Sequence, residues 1–211
     1  MESTDELMDP RSPDGTAEIE GPPRISVVCL AHAEGARGEE IGQRLADRLG
    51  FRYADDEIVV AAAEAAGAFP EAVSLAESRS PGRWLEVDFN RFEKTEDVRE
   101  LIRNAVVETA ADGDVVIVSH AASFALEGRG GVLRVRITAS SETRERQLSE
   151  TGLDGDEAAR RVKDADKDMK AYLKHFYGVS QELPTDYDLV VNSDRVTAEQ
   201  AVEAIVAVAA T

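Results

Sequence analysis

One stretch of this chain combines residue types that can bind an anion. Glu34-Gly35-Ala36-Arg37-Gly38-Glu39-Glu40 follows a short apolar run, Ile25-Ser26-Val27-Val28-Cys29-Leu30. It precedes a periodic segment with Ile41, Leu45 and Leu49 on one helical face. A strand, a glycine-containing loop and a helix in that order make the frame of a phosphate-binding loop. Glycines let backbone approach a ligand, and the free N–H groups of a helix start carry partial positive charge. A Walker A loop ends in Lys followed by Ser or Thr. Here Glu39 and Glu40 occupy the first helical turn instead. Their carboxylates suit the helix dipole and compete with a phosphate for the same field. Arg37 can restore charge, because a guanidinium matches phosphate oxygens. Taken alone, the segment also reads as a plain strand-to-helix turn.

Three other positions carry chemistry. Asp55 reads as a carboxylate at a ligand-facing edge, or as the N-cap of a following helix. His120 ends the run Val115-Val116-Ile117-Val118-Ser119, where a ligand-facing imidazole or a core histidine both fit. His32 follows the first strand onto the loop. His175, beside Phe176 and Tyr177, suits packing or capping near a helix end, and Trp84 suits a core anchor. No Cys/His cluster suggests zinc, the three histidines lack metal-ligand spacing, and no Gly-x-Ser-x-Gly motif suggests a hydrolase.

These residues need elements to position them. The sequence predicts a buried strand over 25–30, a helix over 39–49 stopped by Gly50, a brief strand over 51–53 and a helix over 55–66. Residues 68–94 lack a clean period. A helix over 95–111 and an all-apolar strand over 115–118 follow, the latter typical of a buried parallel sheet. A short helix over 121–126, a strand over 132–137, helices over 141–151 and 155–176, a strand over 188–191 and a helix over 197–209 complete the chain. Such alternation predicts a parallel sheet with helices on both faces. Ligands in such sheets bind beyond the C-terminal strand ends, where the loops after Leu30 and Val118 lie.

Composition narrows the partners. The chain has 211 residues, 42 acidic against 24 basic, and a net charge of −18. An acidic surface repels nucleic acid and anionic membranes, so neither is expected as a partner. An anionic nucleotide would need a local positive site. The single cysteine, Cys29, excludes an intramolecular disulfide and fits a cytoplasmic setting. No run reaches the ~20 apolar residues of a membrane span. Residues 1–23 are acidic and rich in turn formers, and read as a disordered tail before a domain over 24–211.

Several segments resemble, in order, the cytidylate kinase-like family. Glu34 to Gly42 is similar to that family's loop, Tyr-Gly-Ser-Gly-Gly-Arg-Glu-Ile-Gly. Tyr53-Ala54-Asp55-Asp56-Glu57-Ile58 resembles its Phe-Tyr-Asp-Lys-Glu-Ile. Gly113 to Val118 resembles the strand before its Gly-Arg-Gly-Ala turn. Leu133 to Ile137, Glu142-Thr143-Arg144, and Asp166-Lys167 with Tyr172 match its next strand and helices. Tyr187-Asp188-Leu189-Val190-Val191-Asn192-Ser193 matches its terminal signature. The resemblance spans residues 25–208.

It implies a three-layer α/β/α P-loop kinase fold with a five-stranded parallel sheet. It also implies ATP and Mg²⁺ as cofactors, with γ-phosphoryl transfer to a nucleoside monophosphate such as CMP. Gly35, Ala36, Arg37, Gly38, Glu39 and Glu40 would then cradle phosphates. Arg37, Asp55, His120, Arg144 and Lys167 would carry charge or hold the acceptor, with no protein metal ligand assigned. The chain departs from the family where cations matter most. Ala36 replaces a serine, Glu39 an arginine, Ser119-His120 a Gly-Arg, and Met169 a lid-helix arginine. Arg144, Arg160, Arg161, Lys163 and Lys167 remain as replacements. Two functions follow: a nucleotide kinase, or a binding or regulatory module on the same fold. A purely structural interaction protein with a docking tail has no positive support.

Overall fold

The structure, a computed structural model, describes residues 24–55, 95–119 and 122–210. The expected tail, most of the helix expected from Asp55, Trp84 and His120 lie outside those residues. Five strands form one parallel sheet: β1 (Val27–His32), β2 (Arg52–Ala54), β3 (Val115–Val118), β4 (Val132–Thr138) and β5 (Leu189–Asn192). Their spatial order is β2-β3-β1-β4-β5. β1 lies in the middle, with Val27 opposite both Val115 and Val132. All six of its residues are buried, as a central parallel strand covered on both faces requires.

Alternation along β1 divides the core. Val28 and Leu30 pack with Ile41, Leu45 and Ala46 of α1 (Gly38–Leu49) and with Ala201, Val202 and Ile205 of α6 (Ala198–Ala209). Val27 and Cys29 face the opposite way. They join Val106 of α2 (Thr95–Ala111) and Ala122 and Ala125 of α3 (Ala122–Ala125). Two partly buried tyrosines of α5 (Gly155–Tyr177), Tyr172 and Tyr177, pack against this second cluster. The sheet is thus the middle of three layers. A smaller cluster of Leu148, Ala158 and Val162 holds α4 (Ser141–Glu150) against α5.

Helix boundaries follow local chemistry. Ser140 caps α4 by accepting from the Thr143 N–H, and Asp154 caps α5 by accepting from the Glu157 N–H. Thr197 and Gln200 form a reciprocal capping box at α6. Gly50 and Gly178 close α1 and α5 in the left-handed region.

Two departures from expectation have physical causes. β1 starts two residues later than expected and runs on to His32, because β4 pairs through the His32–Ile137 position. The hydrogen-bond ladder, rather than β-branching, carries Ala31 and His32 into the strand. The turn Pro184–Asp186 was not foreseen, and it is closed by the Leu183 N–H donating to Asp186 Oδ2 at 2.7 Å. Nearby, the Glu182 side chain is buried as the shared partner of Arg136 and the Tyr187 hydroxyl. Arg136 also lies over the Tyr187 ring. Across the same strand pair, Arg134 grips Asp188 through its side chain and its backbone N–H.

Candidate functional site

The loop after β1 is bounded by two backbone contacts. The Ala33 N–H donates to Ile137 O at 3.0 Å, and the Ala36 N–H closes a turn onto Ala33 O at 2.9 Å. Gly35 has φ +78°, and a Cβ there would lie 2.8 Å from Arg144 O. That close approach leaves room only for glycine. Arg37 follows at φ 63°, ψ 30°, an uncommon place for a side chain that large. It is the N-cap of α1 but supplies no side-chain hydrogen bond to the helix. The first-turn N–H groups of an α-helix have no carbonyl partners of their own. Those of α1 therefore open onto the C-terminal edge of the sheet without a side-chain cap.

His32 sits beneath that first turn. It shares the face of Val28 and Leu30 that α1 covers, and it is buried. A Cβ on Gly38 would fall 2.0 Å from its ring. Its Nε2 lies 3.8 Å from a carboxylate oxygen of Glu39. Ala36, where the resemblance led to comparison with a serine, is fully buried. Its carbonyl receives the Ser193 hydroxyl at 3.4 Å, so the turn after β5 supports the loop from behind.

Three arginines at the loop, Arg37, Arg144 and Arg161, are each paired with a carboxylate. Arg37 reaches Glu150 of α4 at 2.8 Å and approaches Glu40 at 3.8 Å. Arg161 of α5 donates to Glu34 at 2.6 Å. Arg144 of α4 is buried and forms a two-bond fork with Asp166 of α5, at 2.8 and 2.7 Å. Its Nη1 also reaches Glu34 O at 3.4 Å. Glu40 itself is held by Arg44 at 2.9 Å.

The structure thus brings Gly35, Ala36, Arg37, Gly38, Glu39, Glu40 and Arg144 to one place. Lys167 is exposed on α5, one residue beyond the Asp166 that Arg144 grips. Asp55 is half-buried just after β2, at the same edge of the sheet but with β3 between β2 and β1. His120 lies outside the described residues, as do the side-chain surroundings of His175. Sequence reasoning missed Glu34, Glu150 and Asp166 as the partners of the arginines. Asp166 stood inside a motif, whereas nothing local marks Glu150, whose partner is 113 residues away.

The cytidylate kinase-like family matches residues 27–195. A cytidylate kinase of Methanopyrus kandleri is 28% identical over 182 residues, covering 80% of this chain and 85% of that one. Among solved structures, an uncharacterized protein from Eubacterium ventriosum gives a TM-score of 0.65 at 16% identity, covering 87% of this chain and 97% of the other. A sugar kinase from Janibacter gives 0.53 at 15% identity, covering 90% and 99%. A shikimate kinase from Bacteroides thetaiotaomicron gives 0.50 at 18%, covering 86% and 97%. These structural likenesses establish the fold, a P-loop kinase sheet. Among the described residues no helix is long and apolar enough to cross a membrane. With the family spanning the loop, the sheet and the α4–α5 pair alike, this chain belongs to the cytidylate kinase-like family.

Proposed function

We propose that the chain is a nucleotide kinase that moves the γ-phosphoryl of ATP to a nucleoside monophosphate, CMP or a close relative. The observation that carries this reading is the uncapped first turn of α1. It lies at the C-terminal edge of the sheet, after a loop whose Glu34 carbonyl the buried guanidinium of Arg144 touches. Backbone N–H groups of Gly38, Glu39 and Glu40 would take phosphate oxygens, and Arg144 and Arg37 would offset their charge. Asp55, two strands away, would hold the acceptor nucleotide, and Lys167 and His120 would add charge. Catalysis of this kind is mostly alignment of donor and acceptor and neutralisation of the transferring group.

The fit to Mg·ATP rests on the donor set. The uncapped N–H groups and Arg144 suit phosphate oxygens. The exposed Glu39 carboxylate opposes a phosphate but suits a hard cation, so Glu39 would hold Mg²⁺. Among the described residues no three acidic, cysteine or histidine side chains gather as a metal cage. Mg²⁺ is commonly held by one or two carboxylates plus the nucleotide's phosphates. When bound, the ion supplies neutralisation of the phosphate charge. Residues 24–211 would act as the kinase domain and 1–23 as a solvated acidic tail, in the cytoplasm.

A second reading is favoured by Glu39 and Met169, which replace expected cations: the chain binds nucleotide and transfers nothing. Thermal-shift titration with Mg·ATP and monophosphates, followed by a coupled transfer assay, separates the two. Stabilisation with turnover supports the kinase. Stabilisation without turnover supports the binding module, and no response to any nucleotide removes both.

A further inference from the structure

We infer that Asp166 is an internal competitor for Arg144 and sets how tightly the loop takes a phosphate; this rests on the phosphate-binding reading of the α1 loop. Three observations converge on it. The Arg144 guanidinium is the most deeply buried cation at the loop, with a side chain only 6% exposed. Both of its terminal nitrogens are spent on Asp166, at 2.8 and 2.7 Å. The Asp166 side chain is 52% exposed, so solvent and dissolved anions reach the pair on the Asp166 side.

The remaining edge offers no entrance. Nε of Arg144 is buried and has no hydrogen-bond partner. Nη1 already leans on the loop carbonyl of Glu34. An incoming oxyanion therefore meets Arg144 from the side that Asp166 covers. A carboxylate and a terminal phosphate present the same two-oxygen edge to a guanidinium, so one replaces the other without rearranging the arginine. The exchange favours the more highly charged group. A terminal phosphate carrying nearly two charges displaces Asp166 where a singly charged anion does not.

The same swap couples the loop to α5. Asp166 and Arg161 are both on α5, and they contact Arg144 and Glu34 respectively. Release of Asp166 leaves α5 tied to the loop only through Arg161 and Glu34 among these contacts. Asp166 is thus an affinity-setting residue on the helix that borders the site.

The test is Asp166→Asn in the full-length chain, probed with tripolyphosphate and with Mg·ATP by calorimetry and thermal shift. Asparagine keeps the shape and removes the competing charge. The expected result is a lower melting temperature without ligand and binding of both probes tightened about tenfold, the scale of one charge-assisted hydrogen bond. Arg161→Gln is the control, because it loosens α5 but leaves Arg144 occupied. It should lower the melting temperature without tightening either probe. Asp166→Ser serves if the asparagine variant does not fold, with the same gain expected. Unchanged or weaker binding in an Asp166 variant, or an equal gain in Arg161→Gln, overturns the inference while a binding wild type leaves the kinase reading intact. If neither wild type nor variant binds ATP or tripolyphosphate, both readings fall.

Discussion

The imidazole of His32 lies directly against Gly38, so closely that a single added methyl would overlap the ring at 2.0 Å. The first residue of α1 is therefore a glycine because the last residue of β1 is a histidine. The two elements meet at the bend that forms the loop.

Gly38→Ala should accordingly destabilise the fold by about 1–3 kcal/mol, the range for overpacking a filled site. His32→Ala in the same chain should recover part of that loss, since the clash needs both side chains. Urea unfolding of the two single variants and the double variant checks this. Simple additivity would contradict the contact.

Arg37 separates backbone strain from charge. Arg37→Gly and Arg37→Ala both remove the exposed pair with Glu150, but only glycine relaxes at φ 63°. The glycine variant should be more stable than the alanine variant by about 1 kcal/mol, the cost of a left-handed side-chain residue. Both should bind ATP more weakly than wild type. Equal melting temperatures for the two variants would show that the loop is unstrained.

Cys29 reports on global opening. Burial among apolar neighbours pushes its thiol up to about 12. In the native chain at pH 8 it should therefore resist alkylation, while the unfolded chain reacts at the rate of a free thiol near its ordinary value of ~8.5. Mass-spectrometric labelling against urea concentration should follow the unfolding curve. Rapid labelling below the transition would place the thiol outside the core.

Asp188 carries an acid signature. Burial pushes its carboxyl up, but hydrogen bonds from the Arg134 side chain and backbone outweigh that and hold it below the ordinary range. A carboxyl lowered by folding adds stability that is fully present above its unfolded value, ~3.9, and is lost as pH falls through the lower folded value. The stability gap between wild type and Asp188→Asn should hold steady from pH 7 to about 5 and close below about pH 4. A gap that widens in acid would reverse the assignment.

Much of the architecture was legible because its determinants are local. Thr95–Ala111 and Val115–Val118 form over the expected residues, one an amphipathic run ending before Gly113 and the other four consecutive apolar residues. Thr197 was readable as a cap from its place before a hydrophobic period. The loop was also readable as a loop. Its electrostatics were not, because Glu150, Asp166 and Arg161 reach it only after α4 and α5 fold back over it. The reason for Gly38 was equally hidden, since the spacing to His32 gives no hint that the ring turns beneath α1. The sequence names Arg37 as a candidate phosphate ligand but marks neither its pairing with Glu150 nor its left-handed backbone.

The central place of β1 has a consequence for how the chain is made. Its partners, β3 and β4, come later in the sequence, and about 80 residues separate β1 from β3. At a synthesis rate of roughly 5–20 residues per second, Val27–Ala31 waits on the order of 4–16 seconds without a neighbouring strand. The central strand of the sheet is thus the first to be synthesised and waits for both of its partners, a high-contact-order arrangement that slows folding. During that interval it is the segment most open to chaperone capture or to pairing with another nascent copy, and the finished sheet closes it off on both edges at once.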